Sequence, residues 1–307
     1  MSSIAATTPA PSAPAVAGCV SGSVRWRSEG AVFELVSSDA DLLRMANTVF
    51  ASPRETSARA DLSWIVEPLG TGEGESWVVT LQPHPGEQAD RVIRDSRESV
   101  LLFVESQALD FLIAHATHSI AVHCALLSRE GRGIVIVGPS FAGKSTLAIA
   151  LWRAGWSLMS DDSAFLHPLE TTAAGAPRRV SLRNESRHLV GETLWNEIQH
   201  TPSLLRTAKG LFFHPHEVDG TSPLMTTPVA SIFFLARRGV AVDPAATERM
   251  HQAKAAVALL PYGFNVRTIP FMEGIARITP LVEAVPAYDL GRGDLPEMIR
   301  AVESHLG

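Results

Sequence analysis

The chain has 307 residues, 46% of them hydrophobic and 19% charged, with a formal net charge of −6. That length can bury one large core or two modest ones. The mild acidity offers no long-range attraction to nucleic acid or to an anionic membrane, and two cysteines, Cys19 and Cys124, make neither a disulfide framework nor a cysteine metal site.

Residues 1–20 are mostly Ala, Pro, Ser and Thr, without the basic start of a secretion signal, and read as a disordered tail. No apolar run has the length to span a bilayer, so no membrane association and a cytoplasmic location are expected. Residues 24–27 and 32–36 read as strands around Gly30. Residues 39–50 read as a helix, with Leu42, Leu43, Met45, Ala46 and Val49 at helical spacing. Two more strands follow at 61–66 and 76–81, joined by the Gly-rich stretch 70–75 as a hairpin loop, and 83–88 is a Pro/Gly break. Residues 99–116 form a long helix that is apolar on most faces and is expected between two layers. These elements define an N-terminal α+β domain over 21–115. A second domain, 116–307, opens with an apolar strand over 120–127 and a turn at 129–132. Beyond residue 160 strands and loops dominate, with 204–213, 230–235 and 257–260 the clearest elements.

The chemistry lies in residues 138–146: Gly138, Pro139, Ser140, Phe141, Ala142, Gly143, Lys144, Ser145 and Thr146. The pattern is G-x-x-x-x-G-K-[ST], a phosphate-binding loop. Its glycines let backbone N–H groups turn inward around phosphate oxygens. Lys144 supplies charge for the β and γ phosphates, and Ser145 offers a hydroxyl to Mg²⁺. The context is the required one. Residues 133–137 read as a buried parallel strand, 146–154 as the following helix, and Gly155 as its C-terminal cap. The helix directs its positive end at the anion.

Such a loop needs an acidic partner, because Mg²⁺ takes hard oxygen ligands and a hydroxyl acceptor loses a proton as it attacks. Asp161 and Asp162 end the next strand, 157–160, at the sheet edge where ligands collect. One carboxylate can hold the metal and the other reach the acceptor. His123, inside an apolar strand beside the loop, is either a hydrogen-bonded core residue or the partner that orients an aspartate.

The run from His123 through the loop to Asp161 and Asp162 resembles the catalytic domain of the HPr kinase/phosphorylase family, most closely its shorter HPr-related branch. Residues 179–186 (RVSLRNES), Lys209-Gly210 and Phe264-Asn265 extend the likeness. The resemblance implies an α/β domain of the HPr kinase/phosphoenolpyruvate carboxykinase type, preceded by the small α+β domain. It implies ATP and Mg²⁺ as cofactors and transfer of the γ-phosphate to a serine or threonine hydroxyl of a small protein or peptide. Asp161 is then the base, supported by His123, and Asp162 joins Ser145 on the metal, an order that can be reversed. A homo-oligomer is also implied. The family has glycine where this chain has Phe141. If that position takes a positive φ, the phenylalanine stores about 1 kcal/mol of strain. No Glu-x-Arg-Gly stretch follows the aspartates, so neither the reverse phosphorylase reaction nor HPr as acceptor is implied. A small-molecule hydroxyl kinase and a non-catalytic ATP-binding sensor or scaffold are the alternatives.

Other candidates are weaker. Arg206 or Lys209 can face the γ phosphate or stand in a solvated loop. Arg237-Arg238 reads as a hairpin tip. His214 and His216 lack a third ligand at metal spacing and read as loop residues. Trp26, Trp64 and Trp77 read as core.

Overall fold

A computed structural model describes residues 22–50, 59–69, 76–82, 90–208, 210–223, 225–236, 247–291 and 293–306. The tail over 1–20, the loop 70–75, the break 83–88, Lys209 and Arg237-Arg238 lie outside the described residues.

The first half carries β1 (Gly22–Ser28), β2 (Ala31–Ser37), α1 (Ala40–Val49), β3 (Leu62–Leu69), β4 (Ser76–Gln82), β5 (Arg91–Arg94) and α2 (Arg97–His115). The five strands form one sheet in sequence order, antiparallel except for β2 beside β3. A parallel neighbour needs a crossover, and α1 supplies it. The β1–β2 hairpin turns on Glu29 and Gly30, both at positive φ, the geometry that matches strand twist. Asp39 caps α1 by accepting from the N–H groups of Asp41 and Leu42, and Ser96 caps α2 with Ser99 answering it. Trp26, Trp64 and Trp77 are core residues, and Trp26 stacks on Phe50 with ring centroids 4.1 Å apart. Helix α2 is less apolar than its sequence suggests, because it buries Glu105.

The second half runs β6 (Ile120–Val122), β7 (Cys124–Arg129), β8 (Arg132–Val137), α3 (Lys144–Arg153), β9 (Ser157–Ser160), β10 (Ala164–His167), β11 (Thr172–Gly175), β12 (Val180–Arg183), α4 (Arg187–Ile198), β13 (Leu205–Thr207), β14 (Gly210–Phe213), α5 (Pro215–Asp219), β15 (Thr226–Leu235), β16 (Glu248–Arg249), α6 (Gln252–Leu259), α7 (Phe271–Ala284), β17 (Ala287–Leu290) and α8 (Leu295–Ser304). A mixed sheet has the order β6-β10-β11-β15-β8-β7-β9, with β17 on β15 and β16 on β17; β12, β14 and β13 form a small third sheet. Strand β8 is parallel to β15 as expected and antiparallel to β7. The fold is therefore mixed α/β with three sheets. The core of the first half continues into Ala121, Phe165, Ala176 and Leu205, so the halves share packed surface.

Two expectations need correction. The strand expected over 120–127 is two strands broken at His123: its N–H donates to Tyr262 O (2.8 Å) rather than to a ladder, β6 joins β10, and β7 joins β8 and β9. The strand-and-loop reading of the C-terminal part misses α4, α6, α7 and α8. Residues 257–260 belong to the end of α6 and the turn after it, where the apolar run faces the core through Leu259.

Candidate active site

Register builds the site. Cys124 at the start of β7 lies opposite Val137 at the end of β8, and Leu126 lies opposite Ser160 at the end of β9. The phosphate-loop segment leaving β8, the aspartates leaving β9 and His123 just before β7 therefore converge at one sheet edge.

The segment between β8 and α3 carries two left-handed residues, Phe141 and Gly143. Gly143 stands before α3 at φ 101°, a left-handed conformation that a β-carbon would strain, and no side chain caps the helix there. A β-carbon on Gly138 would come 3.0 Å from Leu235 O and Leu235 Cβ, so only glycine lets the loop leave β8 so close to β15. Phe141 does take the positive φ, at 63°, with 79% of its surface exposed. Its strain is bought back by no packing of the ring. Lys144 curls into the loop, and its Nζ donates to Gly138 O (2.7 Å) and Pro139 O (3.3 Å). Burial holds its pKa below the usual lysine range, against the nearby charge of Asp162. Ser140 and Ser145 are exposed, and Pro139 and Thr146 are half-buried.

The two aspartates face different surroundings. Asp161 is buried and accepts from the N–H and Oγ of Ser181, each at 3.2 Å. Burial, reinforced by the charge of Asp162, pushes its carboxyl up to about 6. Asp162 is partly exposed. Its Oδ1 lies 3.3 Å from His123 Nδ1 and its Oδ2 accepts from Arg178 Nη1 at 2.9 Å. The hydrogen bond from His123 holds its carboxyl below the usual range, with the positive charge of Arg178 acting the same way. His123 Nδ1 also lies 2.9 Å from Asp162 O, and the ring meets Phe264 edge-on at 6.1 Å. The histidine thus stands on Asp162, not on Asp161.

Arg178 and Ser181 are the residues that motif reading missed. Each reaches the aspartates from the β11–β12 side of the fold. Ser181 lies inside the segment 179–186 noted for its likeness, with no role read for it there, and Arg178 stands just before that segment. Arg206 is not at the site: its guanidinium binds Gln199 Oε1 and Gln199 O at the end of α4. Asn265 pins backbone, accepting from Ala121 N–H and donating to Ala116 O and Ser119 O. His214 and His216 flank Pro215 at the start of α5.

The donor set fits a nucleotide-bound magnesium ion. One exposed hydroxyl, Ser145, and the Asp161–Asp162 carboxylates are hard oxygen groups. Among the described residues no cluster of three or more His, Cys, Asp or Glu side chains forms a protein-only metal cage. Magnesium is commonly held by one or two carboxylates, waters and the phosphates themselves. Among the described residues no helix is long and apolar enough to cross a membrane.

No family model matches the chain, and no curated protein matches it. Among solved structures, the HPr(Ser) kinase/phosphatase from Coxiella burnetii aligns with 60% of this chain and 95% of its own, at 18% identity and a TM-score of 0.34. Similarity at this level defines neither an activity nor a substrate for this chain.

Proposed function

We propose that the chain is a Mg²⁺- and ATP-dependent kinase that transfers the γ-phosphate to a serine or threonine hydroxyl of a small protein or peptide. The observation that carries this reading is the pairing at one sheet edge of a glycine-opened phosphate loop with Asp162, itself gripped by His123 and Arg178. Ser145 and a carboxylate of the aspartate pair would hold Mg²⁺, which when bound neutralises charge on the transferred phosphoryl group. Lys144 leaves its loop carbonyls to meet the β and γ phosphates, and the N–H groups opening α3 complete the cradle. The acceptor oxygen bonds to the γ phosphorus, the bond to the β-phosphate oxygen breaks, and the hydroxyl proton passes to Asp162. His123 and Arg178 fix the orientation of that carboxylate. Asp161, anchored by Ser181, fixes the chain from which Asp162 projects. The proton-accepting role expected of Asp161 thus passes to Asp162, because His123 stands on the second aspartate.

The test is single-turnover loss of the γ-phosphate from bound Mg-ATP. Asp162→Asn should slow transfer by about 10³-fold while ATP affinity changes less than tenfold. Full transfer in Asp162→Asn would remove it as the base. The strain at Phe141 supports a second reading, an ATP-binding sensor without useful turnover. It requires that wild-type protein bind Mg-ATP and lose no γ-phosphate.

A further inference from the structure

A cavity of about 370 Å³ lies between the five-stranded sheet and the second half of the chain. Its walls come from residues 26–29 at the end of β1, 48–50 at the end of α1, 157–159 of β9, 175–178 after β11, and the α5 region. It falls in the range that binds small ligands or a few residues of a chain. Much of the wall is apolar: Trp26, Phe50, Met159, Pro177 and Met225 all contribute. The described residues of the sequence assign it no task.

Its position relative to Asp162 is the decisive feature. Arg178 is among the residues lining the cavity, and its guanidinium donates to Asp162 Oδ2 at 2.9 Å. One residue, Arg178, thus links the cavity lining to the carboxylate proposed to accept the proton.

We infer, resting on the kinase reading, that this cavity binds the acceptor as a polypeptide segment whose hydroxyl residue is flanked by large apolar side chains, with Arg178 as the positioning residue between cavity and base. The volume and wall chemistry select the occupant. A lone polyol would leave most of the apolar wall uncovered. An extended segment with aliphatic or aromatic neighbours would cover it while its hydroxyl points toward Arg178. Arg178 holds Asp162 while the cavity is vacant and yields Oδ2 as the hydroxyl arrives.

Two synthetic probes test this: Ac-Leu-Ser-Leu-NH₂ and Ac-Gly-Ser-Gly-NH₂, offered with Mg-ATP to the full chain. Binding of Mg-ATP to the wild type is measured first, so that failure of the nucleotide site is recognised separately. The leucine probe should be phosphorylated with a kcat/KM at least tenfold above that of the glycine probe. Thr48→Trp and Ser222→Trp, which add bulk at the cavity wall and mouth, should raise KM for the leucine probe at least tenfold. That effect should fall on the peptide KM rather than on the KM for ATP. Arg178→Ala should lower kcat for the leucine probe at least tenfold while the KM for ATP changes less than twofold, and Arg178→Lys should restore much of the loss. Three outcomes would overturn the inference. They are equal use of the two probes, an unchanged peptide KM in both tryptophan variants, or no transfer to either probe from protein that binds Mg-ATP.

Discussion

Two clusters of charge involve the short segment from Arg178 to Ser181, one buried and one partly exposed, and they are built on opposite plans. Toward the seam with α2, Glu105 and Arg179 form a closed pair: Glu105 accepts from Arg179 N–H at 2.8 Å and from Arg179 Nη2 at 3.2 Å, and both side chains are almost wholly buried. Toward the sheet edge, Lys144, Asp161, Asp162 and Arg178 form an open set, with Asp162 shared between His123 and Arg178 and Asp161 held by Ser181. There one carboxyl is pushed up, the other is held down, and the lysine is held down while bonded to carbonyls of its own loop. A closed pair fastens two parts of a fold. An open set with pKa values shifted in two directions is the kind of arrangement that clusters at functional sites.

The largest expected effect breaks the closed pair. Glu105→Ala strands a buried guanidinium whose Nε and Nη1 already lack hydrogen-bond partners. It should cost about 3–5 kcal/mol in denaturant unfolding. Glu105→Leu combined with Arg179→Met should recover most of that loss, because a buried pair is replaceable by apolar volume. If the single variant is neutral, the seam is not held by this pair.

Asp161 should behave in the opposite sense. Its carboxyl is raised in the fold, so the folded state binds the proton more tightly than the unfolded chain. Its contribution is therefore favourable below the unfolded carboxylate pKa and is lost as pH rises through about 6. Asp161→Asn keeps an acceptor for Ser181 and carries no charge. It should raise stability by on the order of 2 kcal/mol at pH 8, and by little at pH 4. Thermal unfolding at the two pH values checks this, and equal shifts at both would contradict the burial argument.

The smallest effect concerns strain. Phe141 and Gly143 are two residues apart and both have positive φ. Phe141→Gly should stabilise by about 1 kcal/mol, and Gly143→Ala should destabilise by at least as much. Opposite signs in calorimetry would confirm that the loop conformation is imposed by the fold and not chosen by residue 141.

These contrasts also explain what the sequence could disclose. The loop, its helix and the aspartates were legible because each is local: a strand, six residues of loop, a helix with Gly155 beyond its cap, and a second strand follow in order. The Trp-rich core of the first half was legible from alternation in β1 to β4. The break at His123 was not, since it depends on the backbone of Tyr262 far along the chain. Neither were Arg178, Ser181 nor the Glu105–Arg179 pair, whose partners lie between 16 and 74 positions away. Helix α7 was concealed by Gly274 and Pro280 within it. Helix α8 carried a readable start, Asp294 answered by Glu297, that was not used.

The central claim is that the open cluster receives a nucleotide triphosphate. Titration calorimetry of Mg-ATP into the wild type and into Lys144→Ala tests it most directly. The account predicts saturable binding by the wild type, weakened at least 100-fold in the variant. Equal binding by both proteins, or none by the wild type, would contradict it.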